Sequence, residues 1–176
     1  MSTLHVENLK GPTSGASANK IIVPSGQTLT APGHVIQMQH STTTGDAVAT
    51  TCSSFTDTGL SLNITPKFAT SKILVLVNVV IGITRSTNAR IDFRCIENGS
   101  STEVIRYDYT GIQGSAASLI PPQISGSGVF QCSNTSQLTF KTQAQRAQGT
   151  ANEAGLLYLK WYSEGSHTIQ ALEIAQ

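Results

Sequence analysis

The chain has 176 residues, of which 39% are hydrophobic and 12% charged, and its formal net charge is +1. The charged fraction is about half of the usual ~25%, which argues against charge-driven disorder. A net charge this close to zero also argues against electrostatic binding to nucleic acid or to an anionic membrane. The longest apolar run, residues 73–83, is shorter than the ~20 residues of a membrane span. We therefore expect a single globular domain with no nucleic-acid partner and no membrane insertion.

The first 33 residues differ from the rest of the chain, since short apolar patches alternate there with Gly, Pro and Ser. Such patches are too small to bury one another, so we expect this arm to lie along another surface. The segment before its first apolar patch lacks the basic and apolar regions of a signal peptide. We predict an attachment or oligomerisation arm over residues 1–33 and one β domain over 34–176. The apolar arm residues expected to make the attachment are Leu4, Val6, Leu9, Ile21 and Val23.

From residue 34 onward the hydrophobic pattern has a period of two, which indicates strands. Leu60, Leu62 and Ile64 share one predicted strand face. The continuous apolar run Lys72 to Ile83 predicts a central strand that is buried on both faces. Arg90 to Cys95 alternates again, with apolar residues facing inward.

Turn signals divide the remaining strands. Asn98-Gly99 predicts a two-residue hairpin with both residues at positive φ, followed by a strand from Thr102 to Tyr109. Residues 110–128, rich in glycine, predict a long connection. Later strands are expected at residues 129–132, 138–144, 156–162 and 168–174. About eight to ten strands at this spacing predict an all-β fold, an antiparallel β-sandwich of the jelly-roll type.

The sequence shows no pattern of a catalytic or metal site. The three cysteines, Cys52, Cys95 and Cys132, stand apart, so we expect reduced thiols and neither a disulfide framework nor a zinc site. Four acidic residues on or near one hairpin alternate with arginines, a pattern that cross-strand ion pairs explain better than acid–base catalysis. We therefore expect no enzymatic activity, no metal and no cofactor. These acidic residues are Asp92, Glu97, Glu103 and Asp108, and the arginines are Arg90, Arg94 and Arg106.

Four stretches resemble small β-rich virion proteins of tailed bacteriophages, especially phages of marine bacteria. They are Met1 to Leu9, Ala31-Pro32-Gly33-His34-Val35-Ile36-Gln37, residues 55–75 and Ile169-Gln170-Ala171-Leu172-Glu173-Ile174-Ala175. The most specific is the third, with Phe55-Thr56-Asp57-Thr58-Gly59-Leu60, Ile64-Thr65-Pro66 and Ser71-Lys72-Ile73-Leu74-Val75. The resemblance implies a jelly-roll-like head, a homotrimer, and display on a virion through an N-terminal segment that binds other virion proteins. It also implies assembly of the virion in the cytoplasm of a bacterial host.

Two functions fit this resemblance, a short tail fibre or adhesin that contacts the host, and a capsid decoration or head-fibre protein. For an adhesin, we expect the receptor, a surface glycan or protein, to meet the loops at residues 84–89 and 107–122. A tyrosine can stack on a sugar ring, and an acidic group beside it can accept hydrogen bonds from the sugar hydroxyls. The candidate receptor-binding residues are Arg85, Asn88, Tyr107, Asp108 and Tyr109.

Overall fold

The computed structural model describes residues 12–15, 25, 31–43, 47–49, 54–84, 90–109, 123–148, 156–159 and 167–176. Every regular element in these ranges is a β-strand, so the predicted all-β class is confirmed. The ten strands are β1 (Val35–Thr43), β2 (Ala47–Ala49), β3 (Thr56–Ile64), β4 (Lys72–Thr84), β5 (Arg90–Glu97), β6 (Thr102–Tyr109), β7 (Gln123–Gln131), β8 (Leu138–Gln148), β9 (Leu156–Leu159) and β10 (His167–Ile174).

The strands form two antiparallel sheets. In the first sheet, β10 lies between β1 and β4, and β7 pairs with the opposite edge of β4. The short strand β9 pairs with the last four residues of β4, and β2 pairs with β9. The second sheet has the order β3-β8-β5-β6. The eight long strands are β1-β10-β4-β7 in one sheet and β3-β8-β5-β6 in the other. If these eight strands alone are renumbered 1 to 8 in chain order, the two sheets have the orders 1-8-3-6 and 2-7-4-5. This is the strand order of a jelly roll, which confirms the predicted β-sandwich.

The core lies between the inner faces of the two sheets. Along β3, Leu60, Leu62 and Ile64 are buried while the residues between them are exposed, which confirms the period-two reading. Phe130 of the first sheet and Phe140 of the second meet edge to face across the core, with ring centroids 5.7 Å apart. The core cluster also includes Ile73, Val75, Val77, Val79, Phe93, Cys95, Ile105, Ile124, Cys132, Ala144, Ile169 and Ala171.

Strand β4 is central, as predicted, because β10 and β7 pair with its two edges over residues 72–78. Its two faces differ in burial, however. Val75, with no exposed surface, and its inward neighbours are buried, whereas Leu74 and Leu76 on the outer face are only half-buried. The prediction of burial on both faces is therefore correct for the inner face alone. Within this chain, no described element covers the outer face.

Strand β7 begins at Gln123, so the prediction that residues 110–128 are one long connection is wrong for the last six of them. The sequence is misleading there because two inward positions of the strand are glycines. A Cβ on Gly128 would lie 2.0 Å from the carbonyl oxygen of Val104, and one on Gly126 would lie 2.6 Å from the ring of Tyr107. The glycines thus let β6 of the second sheet approach β7 of the first, which closes one side of the sandwich.

The turn between β5 and β6 is longer than predicted. Glu97 pairs with Thr102, so the turn contains four residues, and the residue with positive φ is Ser101, at 56°. The Glu97 carboxylate accepts hydrogen bonds from the backbone N–H groups of Gly99 (2.9 Å) and Ser100 (2.7 Å). These bonds favour the four-residue turn over a two-residue hairpin at Asn98-Gly99 because they satisfy amides that face away from the ladder.

Within the described residues, no helix is long and apolar enough to cross a membrane. Most of residues 1–30 lie outside the described ranges. The predicted boundary between arm and domain at residues 33 and 34 stays a prediction.

Candidate interaction surfaces

One row of apolar side chains crosses the outer face of the first sheet. The strand register places Met38 of β1 opposite Leu172 of β10, Leu172 opposite Leu74 of β4, and Leu74 opposite Val129 of β7. Met38 is 58% exposed and Val129 is 57% exposed, while the two leucines between them are half-buried. An antiparallel sheet with one solvated face normally carries polar residues there. This apolar row, Met38-Leu172-Leu74-Val129, is therefore a candidate contact surface.

The rows on either side extend the surface. Ile174 and the 43% exposed Val35 lie opposite each other next to the apolar row, and Leu76 lies in the next row on the other side. The row of Leu76 also contains His40, Gln170 and Ser127. The row after it contains Thr42, Thr168, Asn78 and Ser125, so amide and hydroxyl side chains predominate on this side. Lys72 is the one lysine, arginine or acidic residue in these four rows. The surface is apolar at its centre and neutral at its border.

The outer face of the second sheet is chemically different, because ion pairs cover it. Glu103 forms ion pairs with Arg94 at 2.7 Å and with Arg106 at 3.1 Å, and Arg106 also forms an ion pair with Asp108 at 3.1 Å. The hydrogen bond from Arg94 is the main reason that the pKa of Glu103 is lowered. The Arg94 guanidinium also stacks on the ring of Phe55, 3.9 Å from its centroid. The predicted cross-strand ion pairing is confirmed for Arg94 and Glu103, whereas Arg106 pairs with Glu103 and Asp108 within β6 itself.

Not every acidic residue of the hairpin belongs to this ion-pair network. Asp92 is 3% exposed and accepts a hydrogen bond from the side chain of Gln145 at 3.1 Å. Glu97 is 5% exposed and holds the β5–β6 turn. Both carboxylates thus have structural partners. Among the described residues, no group of three or more His, Cys, Asp or Glu is placed to hold a metal ion.

Of the five candidate receptor-binding residues, the structure places the side chains of two. Tyr107 donates a hydrogen bond from its hydroxyl to the carbonyl oxygen of Ser125, 2.9 Å away on β7, and it is 38% exposed. Asp108 contacts Arg106 on the opposite face of β6. The structure therefore does not bring these two side chains together. Arg85, Asn88 and the side chain of Tyr109 lie outside the described residues.

The candidate attachment residues of the arm, Leu4, Val6, Leu9, Ile21 and Val23, also lie outside the described residues. What the structure does show is where the chain joins the sandwich. The N–H of Gly33 donates to the carbonyl of Ala175 at 2.8 Å, and the N–H of Ala175 donates to the carbonyl of His34 at 2.9 Å. The polypeptide therefore enters the first sheet at its β1–β10 edge, beside Val35 and Ile174.

Sequence reasoning missed a buried carboxylate, Glu173, that has no exposed surface. It accepts hydrogen bonds from the backbone N–H groups of Lys67 (2.8 Å) and Phe68 (3.2 Å) and from the side-chain amide of Gln37 (2.6 Å). Burial by itself raises the pKa of Glu173, but hydrogen bonding outweighs burial and the pKa is lowered. The signal in the sequence was an acidic residue at an inward position of β10, in line with Ile169 and Ala171.

The cysteines within the described residues are free and buried, as predicted for Cys95. Burial raises the pKa of Cys95 to about 12. Burial, together with the nearby Glu173 carboxylate, raises the pKa of Cys132 to about 11. Both side chains serve as small apolar residues of the core at neutral pH.

No family model matches this chain, and no curated protein matches it. Among solved structures, it is similar to the VP2 subviral particle of infectious bursal disease virus, with a TM-score of 0.46 and 16% identity over 93% of this chain and 41% of that one. The structure of the Gx strain of this virus gives a TM-score of 0.37 and 14% identity, over 94% of this chain and 45% of that one. A CBM4 structure gives a TM-score of 0.23 and 14% identity, over 74% of this chain and 80% of that one. The chain thus spans less than half the length of the two viral chains, and likenesses at this level assign no function to it.

Proposed function

We propose that this chain is a structural protein of a tailed-bacteriophage virion, a short fibre or adhesin whose jelly-roll head is held on the particle by the N-terminal arm. The resemblance of four sequence stretches to phage virion proteins supports this proposal. The observation that carries it is the jelly roll itself, joined at its β1–β10 edge by a segment with apolar patches of its own. In this proposal the head is a homotrimer, and its other partners are virion proteins at the arm and a glycan or protein of the host surface.

The arm is tested by removing its apolar side chains in the full-length protein. Changing Leu4, Val6, Ile21 and Val23 to Ser is expected to leave a soluble β protein with a cooperative melt, because the described residues of the two sheets already pack into a core of their own. The same variant is expected to be lost from particles, measured by immunoblotting of purified virions. A matched control changes exposed residues of the head, Ser61 and Asn63, to Ala. Normal incorporation of the arm variant, or its unfolding by circular dichroism, would contradict the division into head and arm.

The receptor surface needs a test that leaves the sandwich intact. Tyr107 is a poor choice for truncation, because its ring packs on Gly126 and its hydroxyl bonds to Ser125 of the neighbouring sheet. We therefore expect a virion with Arg85→Ala, Asn88→Ala and Tyr109→Ala to assemble normally and to adsorb less to host cells. An adsorption assay with purified particles measures this. Unchanged adsorption would remove these residues from the receptor site.

Capsid decoration is the second candidate, because an apolar sheet face beside a neutral border also suits a protein that packs between capsid subunits. The two candidates differ in copy number. A decoration protein is present in hundreds of copies per virion, and a fibre in a few trimers. Quantitative mass spectrometry of purified particles separates them.

A further inference from the structure

The outer face of the first sheet has the chemistry of a buried surface, although no described part of this chain covers it. Its apolar row joins all four long strands of the sheet, and its two ends, Met38 and Val129, are each more than half exposed. We propose that this face is the surface through which copies of this chain associate with one another.

The layout of the face matches that of a protein–protein contact. Leucines at its centre, Leu74 and Leu172, are half-buried by their neighbours, and Ser, Thr, Asn and Gln side chains lie towards one border. Stable contacts have this arrangement, an apolar centre that excludes water and a polar border that stays hydrated. The outer face of the second sheet lacks it, because its arginines and carboxylates already satisfy one another.

The charge on the face permits a second copy as the partner and argues against a partner recognised by its charge. Its one lysine, arginine or acidic residue, Lys72, lies at the edge of the surface, in the same row as Val35. Two identical faces can therefore meet without bringing like charges together, which is what self-association requires. A partner recognised by charge, such as an acidic protein or an anionic lipid surface, would find no basic cluster here.

The point at which the chain enters the first sheet supports the same partner. The polypeptide joins the first sheet through the Gly33–Ala175 hydrogen bond, just beyond the Val35–Ile174 row that borders the apolar row. When copies pack through this face, each arm leaves from the rim of the contact, within reach of its neighbour. One association then buries the sheet face and gives the apolar patches of the arms a partner surface. This inference concerns the purified chain in solution and does not depend on the proposed place in a virion.

The test is the oligomeric state of the full-length protein, measured by sedimentation velocity over a wide range of concentrations. The variant Met38→Glu with Val129→Glu places charges at both ends of the apolar row. The control, Ser61→Glu with Asn63→Glu, places the same charges at exposed positions of β3 on the second sheet. We expect the wild type and the control to sediment as the same oligomer and the Met38/Val129 variant to sediment as a monomer with an unchanged circular dichroism spectrum.

Three results would overturn the proposal: a wild type that is monomeric at every concentration, a Met38/Val129 variant that keeps the oligomer, or a control that dissociates equally. If the glutamates disturb folding, the milder pair Met38→Ser with Val129→Ser is measured in their place. Its side chains are polar and uncharged, and the same outcomes decide the proposal.

Discussion

Glu173 shows how one side chain can determine the path of a loop. The segment between β3 and β4 must turn back to start the central strand of the other sheet, and its amides at Lys67 and Phe68 need acceptors there. The buried carboxylate of Glu173 supplies them, and Gln37 donates to the same group from the edge strand β1. A hydrogen bond to a charged group contributes more than one between neutral groups, so this carboxylate is a strong link between β1, β10 and the loop.

We predict that Glu173→Gln lowers the free energy of unfolding at pH 7 by about 1.5–3 kcal/mol, since an amide carries N–H donors where the loop amides need an acceptor. The pKa of Glu173 is lowered in the folded state. Its contribution to stability is therefore complete above the unfolded pKa of about 4.3 and is lost as the pH falls through the folded pKa. The gap between wild type and variant is expected to narrow in acid, measured by urea unfolding across this pH range.

Glu103→Gln is the matched control, because Glu103 is a partly exposed member of the ion-pair network. Exposed ion pairs contribute roughly 0–1 kcal/mol, so this change is expected to have little effect on unfolding. Equal losses for the two variants would show that Glu173 does not have the anchoring role described above.

At the level of elements, strand β4 has one buried face and one half-buried face, so substitutions on the two faces can be compared within a single strand. Ile73 has no exposed surface, and Ile73→Ala is expected to cost about 2–5 kcal/mol. Leu76 lies on the outer face, and Leu76→Ala is expected to cost less stability than Ile73→Ala in dissociated protein, because part of the Leu76 side chain already contacts water. Thermal unfolding of the two variants at several protein concentrations measures the difference. We expect the Leu76→Ala loss to grow with concentration, and equal losses at low concentration would contradict the half-buried outer face.

Strand β7 shows where a pattern of residues is insufficient. Its sequence from Ser125 to Gly128 alternates serine and glycine, which is typical of a connection. The strand forms because its glycines face β6 of the other sheet, where the carbonyl of Val104 leaves no room for a Cβ. That constraint arises from two segments far apart in the chain. Local periodicity therefore could not predict it.

For the whole molecule, the sequence predicts the class and most strands because the core is built from regular alternation, as in Leu60, Leu62 and Ile64. It also predicts the ion pairs around Glu103, since their partners lie on one hairpin. It could not predict the apolar row, whose four residues come from four strands and meet only through the register. By contrast, the predicted strand from Thr102 to Tyr109 does place the adjacent residues Tyr107 and Asp108 on opposite faces, because side chains alternate along a strand.

The burial of Cys95 and Cys132 makes each thiol a native reporter of its own sheet. Cys95 lies on β5 in the second sheet, and Cys132 follows β7 in the first. Thiolates attack alkylating reagents, and both thiols are protonated and shielded while the sandwich is closed. In a Cys52→Ser background, the rate at which each remaining thiol is modified reports how often its sheet opens. Separation of the two sheets would expose both thiols and raise both modification rates together. Unfolding of one sheet alone would raise the rate of the thiol in that sheet more than the rate of the other.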